Sequence, residues 1–218
     1  MKKRHLVFLF PLVFLLSGFS GPNVKTSFSP EVSRPAIEKS AYIHKLASVI
    51  GNVQIGEKVF VAPFASIRGD EGQPIYIGHE SNVQDGCVVH GLETFDDGKT
   101  IEKNQVEASG KKYSVYIGSR VSMAHQSQVH GPAKIGNDTF VGMQSLVFKS
   151  TVGDHVVIEP KAMLLGVTVK EGRYVPAGSR ITTQVQADAL PKITDKYRFK
   201  HLNEGVVHVN KQFAEEYR

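Results

Sequence analysis

The chain has 218 residues, a formal charge of +5, 20 Gly and no Trp. That length suits one domain with a sizeable core, or one domain and an appendage. Three of the basic residues, Lys2, Lys3 and Arg4, sit in a segment expected to be removed, so the charge points to neither nucleic acid nor a membrane surface as a partner.

Residues 1–4 form a positive stretch, and residues 6–16 an apolar run interrupted only by Pro11. Ser17-Gly18-Phe19-Ser20 then supplies small residues at cleavage-site spacing. The pattern predicts a secretory signal peptide over residues 1–20, cut after Ser20 and too short for a transmembrane helix. No Cys stands near the cut, so no lipid anchor is expected there. The predicted destination is the periplasm or the exterior, with no membrane attachment after cleavage. Residues 21–40 are expected to be an N-terminal extension. Cys87 is the one cysteine, which excludes an internal disulfide.

From residue 41 to 181 the dominant signal is a period of six. Aliphatic residues recur at Ile55, Val61 and Ile67, then at Ile77, Val83 and Val89. They resume at Ile117, Met123, Val129, Ile135, Val141 and Val147, and a further run ends at Ile181. Gly often follows the aliphatic residue, and a small or β-branched residue such as Ser81, Cys87 or Thr139 stands four places after it. A helix needs apolar residues every three or four positions, and this pattern refuses that spacing. A short fixed period with Gly at turns predicts a parallel β-helix, with three hexads to each triangular coil. Cys87 then fills a tight corner as a small buried residue rather than as a reactive thiol.

Two insertions break the register. A short one lies between Ile67 and Ile77. A long one, residues 91–114, is rich in Asp, Glu, Lys and Gly and is expected to be an acidic loop. Residues 182–218 are expected to be helical. A short helix should end at Pro191, and an amphipathic one, capped by Thr194 or Asp195, should fold back along the prism.

The register also sorts the nine His residues. Ile67, Val89 and Val129 share one face, and each is followed by a polar residue: Arg68, His90 and His130. These three should stack in an outward column, with neighbouring coils ~4.8 Å apart. Two imidazoles at that spacing can reach one metal ion, which needs Zn–N distances of about 2.0–2.1 Å. His125 follows Met123 by two places on the preceding face and points away from the column. It cannot easily complete the site within one chain but can do so from an adjacent copy whose second face packs on this third face, and for a three-sided prism a homotrimer with metal sites between subunits is the economical closure. Three His ligands with an open position describe a catalytic metal site. Hydrogen-bonded interface histidines are the alternative use of the same trio.

Four segments, Arg68-Gly69-Asp70-Glu71, Ser81-Asn82-Val83-Gln84-Asp85-Gly86, His90-Gly91-Leu92-Glu93 and Ala124-His125-Gln126-Ser127-Gln128-Val129-His130-Gly131-Pro132, closely resemble the γ-class carbonic anhydrases, nearest to the methanogen-type subclass. The resemblance implies a mainly β fold: a left-handed parallel β-helix with a C-terminal α-helix packed along it. It implies reversible hydration of carbon dioxide to bicarbonate, with His90 and His130 binding the metal from one subunit and His125 from the next. By the same resemblance Gln84 and Asn82 orient the nucleophile, and Arg68 and Asp70 hold subunits together near the site. Glu71 passes protons or positions substrate, Glu93 is the proton-shuttle glutamate, and Asn203 contributes to the substrate pocket. The tip Glu93-Thr94-Phe95-Asp96-Asp97 departs from the more acidic version the family leads one to expect. Neutral nitrogen ligands suit Zn2+, with Fe2+ or Co2+ as alternatives. Two rival readings share the repeat: a non-catalytic γ-type scaffold or binding module, and a hexapeptide acyltransferase, which needs a thioester donor that an exported protein does not meet.

Overall fold

The computed structural model describes residues 19–218. The hexads wind into a left-handed solenoid of parallel strands on three faces. The first face stacks seven strands, from Ala36–Ile37 through Ile75–Ile77 and Val115–Ile117 to Thr168–Val169. The second stacks seven, from Tyr42–Ile43 through Asn82–Val83 and Ser122–Met123 to Tyr174–Val175. The third stacks eight, from Phe19–Gly21 through Ser66–Gly69, Val88–His90 and Gln128–His130 to Arg180–Ile181.

The aliphatic position of each hexad points inward, and Ile67, Ile77, Met123 and Val129 have no solvent exposure. Side chains on a strand alternate between faces, so the flanking residues point outward. Corners turn through a left-handed residue three places after the aliphatic one, as at Glu80, Arg120, Gln126 and Asp138. Such non-Gly residues cost on the order of 1 kcal/mol each, offset by the ladders that they connect. The Gly after the aliphatic residue answers a different need. A Cβ on Gly78 would lie 2.6 Å from the Gly118 carbonyl oxygen of the next coil.

The small residue of each hexad does more than fit. Ser81 Oγ donates to Gly118 O at 2.9 Å and accepts from Val121 N at 3.0 Å, tying one corner to the next. Cys87 sits in the same phase, fully buried, with Sγ 3.1 Å from Ala124 O. Burial pushes its thiol pKa up, so it is an inert wall residue, as its phase suggests.

Several boundaries differ from expectation. The pairing reaches back into the predicted extension, where Ala36–Ile37 joins Gln54 and Ile55. Phe19–Gly21 pairs with residues 48–50, so the expected cut after Ser20 falls inside a strand. Residues 1–18 of the expected leader lie outside the described residues. The long insertion is two hairpins rather than an open loop: Phe95–Asp96 with Lys99–Thr100, and Val106–Ala108 with Lys111–Tyr113. Their turns are Asp97-Gly98 and Ser109-Gly110, all four residues at positive φ, the geometry that two-residue hairpins favour.

Helix α1 (Gln184–Asp188) starts at a capping box between Thr183 and Gln186. Helix α2 (Leu202–Glu216) begins later than a cap at Thr194 or Asp195 would place it. Tyr197 is the reason: its ring stacks on Tyr174 at 4.2 Å, and its hydroxyl donates to Glu159 Oε1 at 2.8 Å. That pin holds residues 194–201 in turns against the second face. Beyond them α2 lies along the face, with Ala214 buried against Phe60 and Ala62, and with Leu202 and Val206 on Ala124, Phe140 and Val157. No helix among the described residues is long and apolar enough to cross a membrane.

The corner at residue 87 yields a test. Cys87→Ser should leave the melting temperature nearly unchanged, whereas Cys87→Leu should destabilise by about 1–3 kcal/mol or more through overpacking. Thermal unfolding of the two variants checks this, and the native thiol should resist a thiol reagent until the chain unfolds.

Candidate metal centre

The third-face column forms as its phase demands. His90 pairs with Arg68 on one side and with His130 on the other, and His130 pairs with Phe148. The His90 and His130 rings lie 5.2 Å apart at 88°. His90 and His130 are forty positions apart in the chain, and the long insertion bulges between them without disturbing the register.

His130 Nδ1 lies 3.3 Å from Gly131 O. A carbonyl can only accept, so Nδ1 carries the proton and Nε2 keeps its lone pair outward. Burial pushes the His130 imidazole pKa down, and His90 and Lys149 add to the shift. The Gly131 carbonyl opposes that shift without cancelling it, so the site favours the neutral ring, the form that ligates.

Two carboxylates from the short insertion reach the column. His90 Nε2 lies 3.2 Å from Asp70 Oδ1 and 3.5 Å from Glu71 Oε1. Arg68 Nε donates to Asp70 Oδ2 at 3.0 Å. Burial would raise the Asp70 carboxyl, but hydrogen bonds from His90 and Arg68 outweigh it and hold the group below the usual range. Burial raises Glu71, the charges of Asp70 and Glu93 add to this, and His90 opposes it. Binding an ion through Nε2 requires His90 to release Asp70, which keeps Arg68 as its other partner.

His125 stands apart, on the ridge after the second face. Its Nδ1 lies 3.0 Å from Asp85 Oδ2 and its side chain is half exposed. Between this ridge and α2 is a chamber of about 290 Å³, walled by Phe140, Met143, Leu202 and Val206 and reached by Gln84 and His125. Gln84 is nearly buried, and its Nε2 donates to Asn82 Oδ1 at 2.8 Å, while Asn82 Nδ2 donates to Ser122 Oγ at 2.9 Å. This chain of donors commits the amide nitrogen. Among the described residues nothing donates to Gln84 Oε1, so that oxygen is the working end.

Asn203 does not join them. It lies on the buried side of α2, where Nδ2 donates to Arg120 O at 2.8 Å, and it lines a separate cavity with Asp138 and His155. Within one chain it is a helix-docking residue, not a wall of the chamber beside Gln84.

No family model matches the chain. It is 56% identical, over 90% of its length and 80% of the relative's, to a carbonic anhydrase of Methanosarcina thermophila. The chain belongs to the γ-class carbonic anhydrases. A γ carbonic anhydrase 2 from Arabidopsis thaliana mitochondria is 32% identical over 74% of the chain and 51% of the relative. The carboxysome assembly protein CcmM of Nostoc is 41% identical over 81% of the chain, which spans only 30% of that protein. A hexapeptide transferase family protein from Anaplasma phagocytophilum superposes with a TM-score of 0.64, covering 85% of this chain and 94% of that one at 23% identity. That last likeness shows the fold alone.

A γ-class carbonic anhydrase takes a metal cofactor, and the donor set here fits one. Two imidazoles on adjacent rungs, one held neutral with Nε2 free, suit a borderline divalent ion. Among the described residues no three His, Cys, Asp or Glu of one chain converge on a common point.

Sequence reasoning overlooked Asp85. It stands within one of the resembling segments, and its signal in the repeat was a place two residues after Val83, the phase that His125 holds one coil on. An ionised carboxylate accepts from Nδ1–H and leaves His125 Nε2 free, the usual arrangement behind a metal-ligating His. Asp85→Ala should weaken divalent-metal affinity roughly 10- to 100-fold. Competition against a chromophoric chelator reads the change, and wild-type affinity would show that His125 needs no such partner.

Proposed function

We propose that the protein catalyses the reversible hydration of carbon dioxide to bicarbonate at a metal held by His90 and His130 of one subunit and His125 of the next. The observation that carries this reading is the His90–His130 pair on adjacent rungs, with His125 turned outward on another edge. Heterologous contact between that edge and the third face of a second copy closes after three subunits of a triangular prism. The ridge bearing His125 also carries exposed apolar side chains, Phe64 at 67% and Met143 at 42% exposure. Exposed apolar patches of this kind mark contact surfaces. Arg68 and Asp70, on the edge of the third face, then lie at the seam.

We infer Zn2+ as the ion, with Fe2+ or Co2+ equally served by neutral nitrogen ligands. When bound, such an ion supplies Lewis acidity that brings a water's pKa to about 7 and so makes a nucleophile available at neutral pH. Gln84 Oε1 accepts a hydrogen bond from the attacking oxygen and so aims its lone pair. Asn82 and Ser122 keep that amide from flipping, because a reversed amide would lose the Nε2 donation. The apolar chamber beside Gln84 receives carbon dioxide, which has no charge and only weak acceptors, and disfavours the bicarbonate anion. Glu71 and Glu93 take the liberated proton outward. Export to the periplasm or exterior follows from the leader-like residues 1–20.

Two measurements test the reading. Metal analysis with a hydration assay should give stoichiometric metal and activity in the wild type, and loss of both in His125→Ala. A non-catalytic scaffold would carry no stoichiometric metal. Reassembling His125→Ala with His130→Ala chains at equal concentration should restore about a quarter of the sites, since random neighbours in a ring complement one another that often. Zero recovery would place all three ligands in one chain.

A further inference from the structure

Glu71 and Glu93 come from different insertions, and something must bring them to one place. We propose that Thr94, with Asn104, is the positioning element for proton export: it clamps the short insertion to the long one so that both carboxylates face a single cleft. This rests on the relay reading above.

Thr94 has no solvent exposure. Its Oγ1 donates to Glu71 O at 2.9 Å and accepts from Gln73 N at 2.7 Å. Its backbone N also donates to Glu71 O at 3.0 Å, and its carbonyl accepts from Ile101 N at 2.8 Å. Asn104, buried as well, donates Nδ2 to Glu93 O at 2.7 Å. The hydroxyl is thus fully used as donor and acceptor, and it fixes the backbone on both sides of Gly72. Gly72 itself sits at φ +101, where a Cβ would collide with Thr94 Oγ1 and come within 2.7 Å of the Phe95 ring. The two insertions are fitted to each other at that point.

The result is a cleft of about 400 Å³ lined by Glu71, Glu93 and Asp96, with Phe95 and, from the N-terminal segment, Ser27 and Phe28. Hydration of one carbon dioxide yields one bicarbonate and one proton. That proton passes to the Glu71 carboxylate, then to Glu93, then to a base in solution, each carboxylate taking one proton and giving one. Transfer needs heavy atoms within about 2.6–3.2 Å or one water between them. A carboxylate on an unclamped loop meets that condition for only part of the time.

The test uses metal-loaded full-length protein and stopped-flow hydration at low and high concentrations of an imidazole buffer. The ratio kcat/KM covers steps through carbon–oxygen bond formation, whereas kcat includes proton export. Thr94→Val should lower kcat about tenfold at low buffer and leave kcat/KM within about twofold. High buffer should restore kcat, because a free base bypasses the relay. Thr94→Ser, which keeps the hydroxyl, should behave as wild type. Asn104→Ala should repeat the Val pattern and carries the test if Thr94→Val does not assemble. Parallel loss of kcat and kcat/KM without buffer rescue would make Thr94 merely structural and overturn the proposal. An unaffected Thr94→Val beside a buffer-dependent loss in Glu93→Gln would sink the clamp and spare the relay. A Glu93→Gln with no buffer-dependent loss would sink the relay reading itself.

Discussion

In-register stacking of parallel strands around an aliphatic interior governs everything else in this molecule. Each inward residue sits on its counterpart one coil away, as Val89 does between Ile67 and Val129. Shifting a strand by one residue would turn its apolar side chain outward and its polar neighbours inward. Phase in the hexad is therefore position in space, and the cost of violating it is a buried charge or an exposed core. The His90–His130 pair inherits its spacing from this rule. Its two members need no contact with each other to be held in place, because Val89 and Val129 hold them.

The same rule explains what could be read in advance. The Arg68–His90–His130 column, the inert corner at Cys87 and the outlying place of His125 all follow from counting sixes. The C-terminal helix was legible from its apolar stripe, but its start was not. Tyr197 reaches Glu159 and Tyr174 across the fold, and no local propensity announces a tertiary pin. The hairpins of the long insertion were announced by Asp97-Gly98 and Ser109-Gly110, a two-residue turn signal that a loop rich in charge conceals. Asp85 and Thr94 were hidden for different reasons. Asp85 shares a phase with His125, so its role needs the corner geometry that brings them to 3.0 Å. Thr94 acts outside the repeat, where the period carries no information. Asn203 was assigned by likeness to a pocket, and its docking bond to Arg120 emerges only once α2 is laid on the second face.

A division of labour follows. The imidazoles stand on strands or corners of the solenoid, where neighbouring coils fix them above and below. The carboxylates stand on insertions, where the fold provides no repeat to hold them and separate hydrogen bonds must do so. Metal ligation tolerates little displacement, because bond lengths near 2 Å admit only tenths of an ångström. Proton transfer tolerates a bridging water and so more play. On the proposed reading the stiff scaffold carries the demanding task and the clamped loops the forgiving one.

Gln84 joins these two regimes. It rises from the second face, yet its useful atom is set by a side-chain relay rather than by the ladder. An amide is nearly symmetric in shape, and only its partners distinguish oxygen from nitrogen. Asn82 takes the nitrogen because its own nitrogen is spent on Ser122, which sits directly opposite it one coil on. Backbone register therefore reaches, through two hydrogen bonds, to the polarity of the amide beside the apolar chamber. A substitution at Ser122 that accepts no hydrogen bond would free Asn82 to turn, and Gln84 would then lose the reason for its orientation while every strand stayed in place.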